Sequence, residues 1–217
     1  MILCNGCSKS GTHFLTSLML SMGKTQLGGT LIKRPKKPLT VTSKKPLAEI
    51  FAADDDQFIH SHLIHRPQLA EKMRAHKHLF IIRHPRNIAI SWMRHRNKQD
   101  AAIVESAGTL EMIIRGGFFG HPVPEFIGYH LPWRDEDGVC CIRFEDLVAR
   151  DAASLQRIAD TVGGTADPEH YARAFGDSST WTGKVSDWSD SPYWTEAVET
   201  AWTEAGGPEI EAAAGYA

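Results

Sequence analysis

Gly6 and Gly11 bracket Lys9 and Ser10 in the stretch ILCNGCSKSGTHF, directly after the apolar run Ile2-Leu3-Cys4. A glycine pair at this spacing, between a strand and a helix, is the layout of a phosphate-holding loop. Backbone N–H groups at the helix start and the helix dipole hold the anion there. In a nucleotide P-loop, Lys and Ser/Thr follow the second glycine. Here Thr12 and His13 follow instead, and the lysine sits three positions early as Lys9. Thr12 cannot reach a β/γ-phosphate as lysine does. His13 is a poor ligand for hard Mg²⁺. Lys9, on the loop itself, would bend its ammonium across the anion from the other side. Neither LFIIRHP nor VCCIRFED is an apolar strand ending in Asp. These residue types suit a nucleotide held by fixed cations and N–H groups, without metal.

A second cation–hydroxyl pair lies in LFIIRHPRNIAISWMRH. Arg83 ends an apolar strand and Ser91 falls on the first turns of the helix that follows. Parallel α/β sheets bind ligands at the carboxyl edge of their strands. A guanidinium fork and a hydroxyl on such a corner suit a second phosphate.

The elements that carry these residues alternate. ILCNGC reads as strand and Gly11 to Met22 as helix. FIHSHL (58–63) reads as strand, and Arg66 to Lys77 as helix with Pro67 near its start. HLFIIR (78–83) is a strand before a helix from Asn87 to Arg96. VCCIRF (139–144) is a strand before a helix from Ala152 to Val162, which ends at Gly163-Gly164. Near-continuous apolar strands alternating with helices predict an α/β fold with a central parallel β-sheet flanked by helices, in the P-loop-like manner. At 217 residues the chain fits a single domain. Two stretches stand apart. Residues 24–47 carry seven Lys/Arg, three prolines and no acid, which reads as a flexible basic loop with the potential to act as a flap over an anion. Residues 101–136, with Gly116-Gly117, Gly120, Pro122 and Pro124, read as a helical insertion that shapes the substrate region. Tyr193 to Ala205 and Glu209 to Ala214 read as helical.

Composition narrows the class. Hydrophobic content of 42% and charged content of 23% are those of an ordinary globular protein. A formal net charge of −2 argues against nucleic acid as a partner. No apolar run nears the roughly 20 residues of a membrane span, and no basic region precedes the first apolar stretch, so neither a membrane partner nor a leader is expected. Cys4, Cys7, Cys140 and Cys141 lie in or beside apolar strands, where thiols pack as small apolar groups. Adjacent Cys140 and Cys141 point to opposite strand faces, which disfavours a shared metal. A reduced, cytoplasmic protein is expected.

Taken together, the motifs resemble those of the PAPS-dependent sulfotransferases. SKSGTHF is similar to their 5′-phosphosulfate loop PKSGTTW, and RHPRNIAISW to their 3′-phosphate motif RNPKDVAVSY. IRFEDLVARDAASLQRIADTVG resembles their strand–YEDL–helix segment, GKVSDW (183–188) their late GxxGDW loop, and HSHLIHRP (60–67) their KTHLP. The resemblance spans most of the chain in the family's order, outside 24–47 and 101–136. It departs in particulars. Ser8 replaces a proline, Phe14 a tryptophan that stacks on adenine, and Phe144 a tyrosine. Trp181-Thr182-Gly183 stands where the family has Arg-Lys-Gly, removing two cations near the 3′-phosphate. Lys184 or the basic flap could replace them.

The resemblance implies transfer of a sulfuryl group from PAPS (3′-phosphoadenosine-5′-phosphosulfate) to a hydroxyl or amine of a small-molecule or glycan acceptor. It implies that Lys9 meets the bridging oxygen, that Ser10, Gly11, Thr12 and His13 hold the 5′-phosphate, and that Phe14 faces adenine. Arg83 and Ser91 would hold the 3′-phosphate, with Gly183 and Lys184 nearby. His62 aligns with the family's general base, and His60 stands where the family has lysine. Residues two apart on a strand share a face, so both point at one pocket. His65, His76 and His78 lack a motif and are expected at the surface. A P-loop kinase or other phosphotransferase and a non-catalytic nucleotide-binding protein are the competing readings. The first requires Mg²⁺ and a lysine at position 12. The second is motivated by the missing Arg-Lys pair.

Overall fold

The computed structural model describes residues 1–117, 120–176 and 187–216. The opening apolar run forms β1 (Ile2–Gly6), buried at every residue. A short loop leads into α1 (Thr12–Ser21), whose Phe14, Leu15, Leu18 and Met19 recur at helical spacing on a buried stripe. Next come β2 (Thr25–Lys33), β3 (Thr40–Val41), α2 (Leu47–Phe51), β4 (Gln57–Leu63), α3 (Pro67–Met73), β5 (Lys77–Ile82) and α4 (Pro85–Gln99). The chain continues through α5 (Ala107–Ile114), α6 (Val123–Gly128), a 3₁₀ turn (Leu131–Asp135), β6 (Val139–Arg143), α7 (Phe144–Val148), α8 (Ala152–Val162) and α9 (Glu169–Gly176). A second 3₁₀ turn (Trp188–Asp190), α10 (Glu196–Glu204) and α11 (Gly207–Ala214) complete the described part.

Contacts group the chain into two compact units, Met1–Ile82 with Pro132–Trp181, and Arg83–Leu131 with Thr182–Ala217. The first holds a six-stranded sheet in the order β3-β2-β4-β1-β5-β6. Every pair is parallel except β2–β3. Period-two alternation sorts its side chains by face. Ile2, Cys4, Phe58, Leu79, Ile81 and Ile142 share a core with Phe14, Leu15 and Leu18 of α1 and with Leu155 and Ile158 of α8. In the second unit α4, α5, α10 and α11 pack on one another. No described helix is long and apolar enough to cross a membrane.

The expected strand–helix order holds, with three local differences. The basic stretch expected as a loop contains β2 and β3. Its prolines and most of its cations lie outside the strands, while Thr25, Thr30, Ile32 and Val41 are β-branched residues that suit a sheet. The helix expected over 66–77 stops at Met73, because Lys77 already donates its N–H to the Met1 carbonyl at 3.1 Å as β5 begins. Phe144 opens α7 instead of ending β6.

Candidate active site

The phosphate loop is built by close packing. A Cβ on Gly6 would lie 2.5 Å from Ser10 Oγ and 2.8 Å from the Ile81 carbonyl oxygen. Gly11 has φ +106°, and a Cβ there would run into the Phe144 ring. Both positions therefore exclude larger residues. Gly11 caps α1 without a side-chain partner, and the first turn of α1 carries no acid, so no described carboxylate there would compete with an anion at its leading N–H groups. Lys9 holds the left-handed region at φ +77°, uncommon for a side-chain-bearing residue. Ser10 is 0% exposed and its Oγ has no hydrogen-bond partner among the described residues. A buried orphan hydroxyl beside the N–H groups of a helix start fits an oxyanion ligand at this loop. Thr12 is buried and His13 is exposed.

Along the core-side face of β4, Phe58 is apolar, and the same face turns polar at His60 and His62 as the strand reaches its carboxyl edge. Cys4 of β1 pairs with His60, so the two histidines stand beside the loop that follows β1. His13 of α1 lies over them, its ring 4.6 Å from that of His60. His62 Nδ1 is 2.8 Å from the Gly6 carbonyl oxygen. A carbonyl only accepts, so Nδ1 carries the proton and Nε2 of neutral His62 is a lone pair. His60 Nε2, 3.1 Å away, must then donate to it. His60 Nδ1 faces Thr16 Oγ1 at 3.4 Å, and Thr16 donates to the Thr12 carbonyl at 2.9 Å. Burial, then neighbouring His62 and His13, push the His60 pKa down to about 2. Burial lowers His62 to about 4, resisted by the Gly6 carbonyl and reinforced by His13, Lys9 and Arg34. Although His13 is exposed as a residue, its ring is partly desolvated against His60, and this and then Lys9 also lower its pKa. His60 and His62 are therefore a neutral pair joined by one directed hydrogen bond within the field of Lys9.

The opposite sheet face carries a support that sequence reading missed. His78, expected at the surface, is 2% exposed. It accepts from Asn5 Nδ2 at 3.1 Å and packs 4.6 Å from the Trp133 ring. Burial lowers its pKa to about 3. Asn5 Oδ1 accepts the Leu63 N–H at 2.9 Å, and Trp133 Nε1 donates to the Leu63 carbonyl at 2.7 Å. These bonds tie the ends of β1 and β4, and so fix His62 relative to the loop. The available signal was an asparagine inside the apolar run ILCNG.

Phe14 is 2% exposed, in the core, with its ring 4.8 Å from Phe175. Adenine contact through its face requires Phe175 to yield. In the second unit, Arg83 and Ser91 are half-buried, Arg83 just before α4 and Ser91 upon it. The anchor of that helix is Arg86, which was not singled out from sequence. It is 8% exposed, bonds both Glu199 and Glu211, and lies 4.1 Å from the Trp188 ring centroid and 5.1 Å from that of Trp194. Gly183 and Lys184 lie outside the described residues. Cys4 and Cys7 are buried free thiols whose pKa burial raises, and burial raises Cys141 to about 11. Among the described residues no group of three His, Cys, Asp or Glu is placed to hold a metal ion.

Neither family models nor curated protein sequences match the chain. Solved structures do. Mouse sulfotransferase SULT7A1 complexed with PAP superposes with a TM-score of 0.63 at 17% identity, covering 100% of this chain and 88% of that one. Retinol dehydratase in complex with androsterone and the inactive cofactor PAP gives 0.52 at 19% identity, covering 80% of this chain and 62% of that one. Retinol dehydratase with retinol and PAP gives 0.52 at 19%, covering 79% and 62%. This chain thus spans less than two thirds of retinol dehydratase. The architecture is the sulfotransferase fold: a six-stranded, mostly parallel sheet, here with a glycine-bracketed loop between β1 and α1.

Proposed function

We propose that this protein transfers a sulfuryl group from PAPS to a hydroxyl or amine of a small-molecule or glycan acceptor. The observation that carries the reading is the loop itself. A sulfotransferase fold presents an orphan buried hydroxyl, the N–H groups of a helix start, and a lysine on the turn close enough to depress His13 and His62. PAPS supplies the sulfuryl group, with the 5′-phosphate of adenosine 3′,5′-bisphosphate as the leaving group. Such transfers depend mainly on positioning and on stabilising developing charge.

Lys9 places its ammonium where negative charge grows on the bridging oxygen. Ser10, Gly11, Thr12 and His13 hold the 5′-phosphate through N–H, hydroxyl and imidazole donors. Phe14 is the aromatic neighbour of adenine, and Arg83 and Ser91 hold the 3′-phosphate. His62 accepts the acceptor proton at Nε2, and His60 assists by donating to or yielding that same nitrogen. The motif resemblance alone assigns Gly183 and Lys184 to the nucleotide. Four free thiols suit a reduced compartment, and we place the protein in the cytoplasm.

Calorimetry tests the reading. Adenosine 3′,5′-bisphosphate should bind in EDTA, tighter than adenosine 5′-phosphate, and PAPS should be turned over with some member of an acceptor panel. Preference for ATP with Mg²⁺ would instead support a kinase. Bisphosphate binding with no turnover on any acceptor would leave a nucleotide-binding protein.

A further inference from the structure

The seven cations of residues 24–47 are sorted by the sheet. β2 runs parallel to β4, with Ile32 beside His62 and Lys33 beside Leu63. The turn after β2 therefore leaves the sheet at the carboxyl edge, the edge that carries the phosphate loop and His62. Lys33, Arg34, Lys36 and Lys37 are on this side. β3 runs back, carrying Lys44 and Lys45 toward the other edge, where Lys24 also lies. There two of the three charges are engaged: Lys24 donates to the Gly163 carbonyl at 2.6 Å, and Lys45 pairs with Glu49 at 3.0 Å.

At the carboxyl edge the arrangement differs. Lys33 Nζ donates to the carbonyls of Arg34 and Lys37 and closes the turn. The Lys37 N–H bonds the Arg34 carbonyl at 3.3 Å, Pro35 holds the second position, and Lys36 holds φ +56° at the third. A turn with positive φ at its third position favours glycine or asparagine. This one keeps a lysine there. Arg34, Lys36 and Lys37 are exposed and make no ion pair with a described residue. Three like charges on four residues repel one another unless an anion joins them. Arg34 is also near enough to His62 to bear on its ionisation.

The nucleotide is not the best candidate for that anion. β5, which leads into Arg83, lies three strands from β2, a separation of roughly 14 Å at the usual strand spacing. The turn stands on the His62 side of the phosphate loop, where an acceptor meets its base.

Resting on the sulfotransferase reading, we propose that Arg34, Lys36 and Lys37 form an anion-recognition turn of the acceptor site, so that the preferred acceptor carries a carboxylate, phosphate or sulfate group near the hydroxyl that is modified. A guanidinium and two ammonium groups on one turn recognise a planar or tetrahedral oxyanion by charge-assisted hydrogen bonds.

The test uses the protein saturated with adenosine 3′,5′-bisphosphate, so that added anions do not occupy the phosphate loop. Binding is measured by calorimetry and NMR for 4-hydroxyphenylacetate, for its neutral isostere 4-hydroxyphenylacetamide, and for 4-hydroxyphenyl phosphate. Both anions should bind about tenfold tighter than the amide, as expected for one charge-assisted contact, and the gap should narrow with salt. Their ratio separates carboxylate from phosphate recognition. Replacing Arg34, Lys36 and Lys37 together by Ala should abolish the gap and leave bisphosphate affinity within about twofold. Arg34→Gln alone should halve the logarithm of the gap and raise the His62 NMR midpoint. Equal or absent binding of anion and amide overturns the proposal, as does a preference that survives the triple replacement. A fall in bisphosphate affinity in the triple variant assigns the cations to the nucleotide and also overturns it. If the wild type fails to bind bisphosphate, the sulfotransferase reading falls; the same probes on the free protein then decide the turn by the same comparison.

Discussion

If His62 takes the acceptor proton, activity should persist to unusually acid pH. Burial, with Lys9, His13 and Arg34 close by, lowers its pKa to about 4. At pH 5.5 an imidazole with the ordinary value near 6.5 is about nine-tenths protonated. His62 at about 4 is almost wholly neutral there, so the two cases differ by about tenfold in free base. The profile of kcat/KM should therefore stay near its plateau at pH 5.5 and fall only toward pH 4. Stability moves in the same range. The folded pKa is below the unfolded one, so between about 6.5 and 4 the unfolded chain binds more protons. Stability is then full above that window and is lost as pH falls through it, by roughly 3 kcal/mol at most for His62. Rates must accordingly be paired with tryptophan fluorescence at each pH to confirm folding. The direct assay is the His62 ring resonance titrated by NMR. Its midpoint should be near 4 in the free protein, and higher with adenosine 3′,5′-bisphosphate bound, because the added anion offsets Lys9 and His13. An acid limb near 6.5 alongside an NMR midpoint near 4 would remove His62 as the base. An NMR midpoint near 6.5 would refute the electrostatic reasoning itself.

Lys9→Ala should lower single-turnover rate by about 10²–10³, the scale for one donor to developing charge, while bisphosphate affinity in calorimetry changes little; wild-type turnover would take Lys9 out of the mechanism. Arg83→Ala should reduce the preference for adenosine 3′,5′-bisphosphate over adenosine 5′-phosphate by about tenfold or more, one charge-assisted contact, and an unchanged ratio would move the 3′-phosphate elsewhere. Arg86→Ala leaves the largely buried Glu211 without its cation and empties the face of Trp188, while the half-exposed Glu199 keeps the N–H group of Trp194 and Glu211 that of Trp202, so urea unfolding should show a loss of about 2 kcal/mol; a loss within about 0.5 kcal/mol would mean the cluster is ornamental to stability.

What could be read from sequence and what could not divide by the range of the interactions involved. The phosphate loop, α1 and α8 are set by neighbours in the chain: glycine spacing, an apolar stripe, and Asp151 capping the Ser154 N–H at 2.7 Å. The strand at β2 was hidden because its pairing partner is β4, some thirty residues on, while the visible local signals were prolines and lysines of the turn. His78 and Arg86 escaped for the same reason. Trp133 closes over the first, and Glu199 and Glu211 are 113 and 125 residues from the second.

His60 shows the boundary within one residue. Strand alternation puts it on the face of His62, and that was readable. Its role as donor was not, because the direction of the bond is decided by the Gly6 carbonyl, 56 residues away from His62. The related motif has lysine at this position, and a lysine could occupy it only as a cation, adding like charge next to the proposed base His62, whose pKa is already lowered by burial and then by His13, Lys9 and Arg34. A neutral imidazole can donate the same hydrogen bond without that charge. It can also release the bond, since its other nitrogen has Thr16 within 3.4 Å. A histidine rather than a lysine at position 60 therefore keeps cationic charge away from His62 and leaves Lys9 as the charged group on the side of the loop after β1, while Arg34 supplies charge from the turn after β2.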